Sequence, residues 1–535
     1  MSEPLEKRAR LVDDVGDVQV NGGDGNELGI SEDVLNALEA DEADPLDERL
    51  VKKLVLSLEK AVSKNQEMRI KFSGEPQKFM DSEIELNTAV QELHSVAAAP
   101  EHYDVLVSLN TIETLLQLMT HENTDIVVAV LALLQELTDV GEEEDGEAYE
   151  RLCRRLIDCG DSQLVGALVE ALGRLDDSDG SSDEADGVHN ALALLENLVD
   201  VDGDRLCAAL CAAADGALLL WLLRRIRRRG AVDDNKVYAA ELLGVLLQNS
   251  NRVRQVLGQK EGVDILLQCL AAYKRHEPSS SVEREHMENL FDCLCASLSV
   301  AENRQKFLDG EGLQLMNLML RERKESRFGA LKVLDHATSA ADSSANCDKF
   351  VEILGLRTLF PLFMKTPSRK HRGPDRSSLE VEEHILALLA ALLRCCTPPN
   401  RARVLAKFSE SDHVKTDRLV ELHFAYLGRV AAYDARQRAA QTTTTEEEGE
   451  ESTSAEEKEL RRLDAGLFSL QLVDLAIADV CVSGPSSARA RVNKLLALKN
   501  ENVDGVKGIL RQYAANLGAD AVAEKKRVEL LLRGL

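Results

Sequence analysis

Acids and amides recur near the ends of apolar helical phrases along this chain. Gln135, Glu136 and Asp139 close LLQELTD, and Glu196, Asn197 and Asp200 close LLENLVD. Glu241 and Gln248 lie in AAELLGVLLQN, Asp292 in LFDCLCASL and Asp335 in LKVLDHA. Set outward on successive helices, such carboxylates and amides form a ladder that pairs with Lys and Arg side chains and with the backbone of an extended peptide. The expected chemistry is recognition of a basic segment. These ten residues are the candidate groove.

Residues that could do covalent or metal chemistry are poorly placed for it. There is no HExxH, no CxxC pair, no phosphate-cradling Gly loop and no nucleophile elbow. The Asp-rich stretches DDSDGSSDEAD and DVDGD lack the Gly placement of a calcium loop. His94, His189, His336 and His384 fall in helical stretches at unrelated phases and read as structural or surface histidines. The eleven cysteines form no framework and, sitting mostly in apolar stretches, read as small buried hydrophobes. No catalytic residue, cofactor or metal is expected. Two basic clusters stand out. Lys7, Arg8 and Arg10 fit a minimal nuclear-import signal. Arg224, Arg225, Arg227, Arg228 and Arg229 follow Trp221, and either dock an acidic segment or answer a helix C-terminal dipole. Trp221 itself reads as core.

The elements that carry these residues repeat. Asn251-Arg252 leads to Gly262, Asn303-Arg304 to Gly312 and Asn346-Cys347 to Gly355, each Asn opening a short helix and each Gly starting a second. Asn400-Arg401 begins the phrase again without the Gly. The glycines lie 50 and 43 residues apart, which suits a three-helix armadillo or HEAT-type unit of roughly 40–47 residues. Such units bury their apolar faces only by stacking. The expected fold is therefore all-α, a right-handed superhelical solenoid with extra helices at both ends. Few aromatics (4%) and abundant Leu and Ala agree with helices.

Composition shifts divide the chain. Residues 1–44 read as a disordered acidic tail, 45–102 as an N-terminal helical cap, 103–430 as the repeats, 431–459 as a flexible Thr/Glu-rich linker and 460–535 as a C-terminal helical cap. Asp81 or Ser82 is the expected N-cap of one cap helix, and Asp125 that of a repeat helix. A net charge of −29 disfavours direct nucleic-acid binding and suits basic partners. No run approaches the roughly 18 apolar residues of a membrane span, and the charged start is no signal peptide. A soluble intracellular chain with reduced thiols is expected.

Longer phrases go beyond repeat patterning. KNQEMRIKFSGEPQKFMDSEIELN, EADGVHNALALLEN and EGLQLMNLMLRERK, joined by ALKVLDHA, ILGLRTLFPLFMK, ELHFAYLG and LRRLDAGLF, resemble the beta-catenin-like family of nuclear armadillo proteins associated with the spliceosome. The resemblance runs from about Pro45 to the C-terminus. It implies a nuclear, non-catalytic adaptor of the splicing machinery that holds basic, nuclear-localisation-type segments of splicing factors. Among those factors is a Myb-like subunit of the Prp-nineteen-type complex. It also implies self-association as a homodimer and, in vertebrates, binding of activation-induced cytidine deaminase. A nuclear transport receptor-like cargo binder is the alternative reading. The departure from the family lies in the tail, where Lys7 to Arg10 is the one short basic run.

Overall fold

The computed structural model describes residues 46–139, 146–160, 163–178, 182–366, 377–443, 455–519 and 521–535. Lys7, Arg8, Arg10 and the rest of the acidic tail lie outside them. Every regular element among the described residues is a helix, and Glu48–Leu535 forms one compact unit. The architecture is the expected all-α armadillo-type solenoid with additional helices before and after the repeats.

Two helices open the compact unit. Glu48–Lys71 buries Val51, Val55, Leu58, Ala61 and Asn65, a spacing of three and four that draws one stripe along the helix. Its partner is Pro76–Glu92, which starts five residues before the expected cap. Pro76 explains the earlier start: its fixed φ suits the first helical turn and it has no N–H to satisfy. Ser82 lies inside that helix, where its hydroxyl donates to Phe79 O and accepts from Asn65 Nδ2. The expected cap Asp125 is corrected in the same way. Asn123 caps Thr124–Thr138, its Oδ1 accepting from the backbone N–H of Asp125.

The repeats follow as triplets of two short helices and a longer third. The third helices are Thr124–Thr138, the first two-thirds of Asp183–Ala212, Asp234–Asn249, Ser281–Ser297, Ser326–Thr338 and Ser378–Cys395. Each packs on the next in chain order. DVDGD is no loop. Asp183–Ala212 runs through it with a kink at Asp202 (φ −153°, ψ 72°), so one third helix passes directly into the next unit's first.

The Asn-to-Gly phrase has a different internal logic from the one its spacing suggests. Asn251 is the first residue of its helix, but Asn303, Asn346 and Asn400 are the third residues of theirs and are buried. Asn303 Nδ2 donates to Ser297 O and to Arg254 O of the preceding unit, so it staples neighbours together. The glycines are needed for space rather than for a left-handed φ. A Cβ at Gly262 would sit 2.5 Å from Leu257 Cγ, one at Gly355 2.5 Å from Phe350 Cζ, and one at Gly312 inside the Phe307 ring. The left-handed turn falls on the residue before each glycine, at Glu261 (φ 60°), Glu311 (φ 59°) and Leu354 (φ 64°).

Past the repeats, Val414–Thr443 is one long helix and Ala455–Arg462 another. The linker expected over 431–459 thus begins and ends in helix, and residues 444–454 between them lie outside the described residues. Phe468–Ser483 is buried along nearly all its length. Together with the helix before it, this stretch is long and apolar enough to cross a membrane, but most of it is covered by neighbouring helices. It serves as the core of the C-terminal end. Two buried acids specify its place: Asp474 meets His423 Nδ1 at 2.6 Å, and Asp479 is held between Arg401 (2.6 Å) and Arg527.

Candidate functional site: a polar face on the third helices

Nine of the ten candidate groove residues lie in third helices and Asp139 caps the end of one, and packing sorts them into two groups. In one group, neighbours already use the polar atoms. Glu136 Oε2 lies 2.6 Å from His94 Nδ1, and Asn197 Nδ2 donates to Thr138 Oγ1 at 3.2 Å. Asp292 accepts from Lys332 Nζ at 2.7 Å, and Asp335 meets His384 Nδ1 at 2.9 Å. These pairs tie each third helix to an adjoining one. Gln135 donates to Asp139 within a single helix at 2.9 Å.

The other group keeps its polar atoms turned to solvent. Asp139, Asp200, Glu241 and Gln248 are exposed. Glu196 accepts from the Tyr238 hydroxyl, a neutral donor that leaves the carboxylate charge in place. Burial raises the Glu241 carboxyl above its ordinary value, and the nearby charges of Glu196 and Glu285 raise it further. Burial alone raises Asp200. Three successive third helices thus bring Glu196 and Glu285 close enough to Glu241 for their charges to act on it. The surplus of acid sits on the units ending at Asp183–Ala212, Asp234–Asn249 and Ser281–Ser297, while Lys332 pairs with Asp292 and His384 hydrogen-bonds Asp335.

Glu285 is the residue that sequence reasoning missed. It lies in the second turn of its helix, whereas the acids singled out lie mid-helix or near helix ends. Stacking aligns helices with an offset, so a residue near the start of one stands beside the middle of another. The repeated alternation of acid and apolar residues was a signal for the helix face, but not for that offset. Lys332, His94, Tyr238 and His384 were missed as partners for the same reason.

The histidines and cysteines behave structurally. His189 packs on Tyr238 with ring centroids 5.0 Å apart, and all eleven cysteines are free thiols, most of them buried. No group of three or more His, Cys, Asp and Glu among the described residues could hold a metal ion. Trp221 is half-buried and donates from Nε1 to Leu172 O at 2.9 Å, tying its helix to the C-terminal end of Gln163–Arg174. The arginine cluster behind it splits. Arg225 is buried between Asp177 and Asp233, and Arg228 also reaches Asp177. Arg224, Arg227 and Arg229 are exposed, with no ion-pair partner among the described residues.

Comparison with known proteins agrees with this architecture. Residues 31–511 match a family described as Catenin-beta-like, Arm-motif containing nuclear. Beta-catenin-like protein 1 of Homo sapiens is 47% identical over 476 residues, covering 89% of this chain and 83% of that protein. The Bos taurus protein of the same name is 46% identical over 495 residues, covering 91% and 86%. The beta-catenin-like protein 1 homolog of Schizosaccharomyces pombe is 32% identical over 486 residues, covering 90% and 80%.

Proposed function

Because this chain belongs to the Catenin-beta-like, Arm-motif containing nuclear family, we propose that it is a non-catalytic nuclear adaptor of the pre-mRNA splicing machinery. Its third-helix face holds basic, nuclear-localisation-type segments of splicing proteins, among them a Myb-like subunit of a Prp-nineteen-type complex. One observation carries this reading. Glu196, Glu241 and Glu285 come from three successive third helices, and, after partial burial, the charges of Glu196 and Glu285 raise the Glu241 carboxyl. Lys and Arg side chains laid along that row would relieve the repulsion, and the field of an acidic face would speed their approach. An extended segment could also donate its backbone N–H groups to Gln248 and Asp200.

The test is titration of a fluorescent Lys/Arg-rich peptide from a splicing factor into the whole protein. Replacing Glu196, Glu241 and Glu285 together by Gln keeps shape and hydrogen-bonding capacity but removes three charges. The affinity should fall about 10-fold or more. Glu302→Gln with Glu352→Gln, on first helices, should leave it unchanged. Equal affinity for the triple variant and the wild type would sink the reading.

A further inference from the structure

We infer that a cavity between the Ala217–Arg227, Asp234–Asn249 and Ser281–Ser297 helices is a binding site for a phosphate monoester, lined by Arg227, Arg229, Lys236 and His286. The cavity has a volume of about 500 Å³. It is separate from the acidic row: neither Glu241 nor Glu285 lines it.

Four features point to an anion. Arg227 and Arg229 are exposed cations with no ion-pair partner among the described residues, on a chain of net charge −29. Lys236 is 8% exposed, and its Nζ donates to Arg228 O at 2.8 Å, which leaves ammonium protons for a ligand. His286 is 3% exposed and its Nδ1 has no hydrogen-bond partner among the described residues. A buried polar atom left in that state is costly unless a ligand completes it. Lys236 also lies in the first turn of its helix, where the helix dipole favours an anion.

The balance of charge identifies the anion. Glu283 is the one acid among the lining residues, and its carboxylate is engaged by Ser279 N at 2.7 Å and Ser279 Oγ at 2.6 Å. Arg228 is committed to Asp177. What remains is two guanidinium groups, one ammonium and one imidazole. A single carboxylate, with one charge and two oxygens, uses part of that set. A phosphate monoester near −2, with three terminal oxygens, uses all of it. Burial first, and the Lys236 ammonium second, push the His286 imidazole down to about 4, so it enters as a neutral donor through Nδ1–H. The volume admits the group carrying the phosphate, either a phosphorylated side chain or a small soluble phosphate.

Three probes test this on the full chain: a phosphoserine peptide, its unphosphorylated twin and inorganic phosphate, each titrated by calorimetry. The phosphopeptide or inorganic phosphate should bind and the unphosphorylated peptide should not. Tighter binding of the phosphopeptide identifies a peptide-borne phosphate; equal or tighter binding of inorganic phosphate identifies a free one. Arg227→Ser with Arg229→Ser should weaken binding about 10-fold or more. Arg224→Ser, on the same helix but outside the cavity, should not. The imidazole ¹⁵N shifts of His286 should move on saturation. Failure of both phosphate probes to bind, or equal loss in the Arg224→Ser variant, would overturn the proposal.

Discussion

Gly312 has no side chain because Phe307 occupies the space one would need. Gly312→Ala should therefore destabilise the protein by about 1–3 kcal/mol, read as a lower urea midpoint. Gly428 is a contrast in the same fold: it is helical and exposed, with no atom of its surroundings within 4 Å of where a methyl group would stand. Gly428→Ala should stabilise by about 0.5–1 kcal/mol, and a loss there would contradict the space argument. His286 adds a pH dependence. Its folded value, about 4, is depressed from an ordinary 6.5, so the unfolded chain binds the proton more readily. The stability it contributes is complete above about pH 6.5 and is lost as pH falls toward about 4, by up to about 3 kcal/mol. Urea titrations at pH 7 and pH 4.5 should show a larger acid loss for the wild type than for His286→Gln. Equal losses would mean that the imidazole is not buried in neutral form.

At the scale of elements, the recurring Arg does what the recurring Asn alone could not. Arg304 donates through one nitrogen to Leu298 O (2.8 Å) and Ser299 O (2.9 Å), and through the other to Asp342 at 2.5 Å. Arg254 and Arg401 reach Leu247 O and Leu393 O in the same way. Each guanidinium thus satisfies carbonyls that a third helix leaves open at its C-terminus, and places a cation where the dipole favours one. Arg304→Met leaves those acceptors and Asp342 without their donor, and should cost about 2–4 kcal/mol by chemical denaturation. Arg252→Met, at an exposed position, should stay within about 0.5 kcal/mol. Similar values for the two would show that the latch contributes little. The pattern Asn-Arg was visible in the chain, but Arg254 rather than Arg252 fills the latch in the first copy, because Ser250 caps that helix and shifts its phase by two residues.

For the whole molecule, the C-terminal helices close the stack. Phe468–Ser483 lies against Ser378–Cys395 and Val414–Thr443, and Asp479 bridges Arg401 of the last repeat to Arg527 of the final helix. Ending the chain at residue 454 would uncover the apolar faces of both helices, much as removing a terminal repeat does in other solenoids. Such a truncation should self-associate in sedimentation experiments and melt at lower temperature than the full chain. A monomeric truncation of unchanged melting temperature would show that the repeats close themselves.

The amino-acid sequence by itself determined the helices, their repetition in units, the absence of recognisable catalytic motifs and the family, because these depend on local periodicity and on long contiguous phrases. Helix starts were less legible, as Pro76 and Asn123 show, since several nearby residues could serve as caps. Only the tertiary structure decided which acids remain available. Asp292 and Asp335 look like Glu196 and Glu241 in the chain, yet Lys332 and His384 occupy the first two, while Glu285 joins the second two in one acidic row. Likewise Arg225 and Arg227 stand two residues apart, one sealed between two aspartates and the other lining a cavity. The physical reason is common to both cases. Charge is compensated between helices distant in sequence, and only their stacked offset settles which side chains meet.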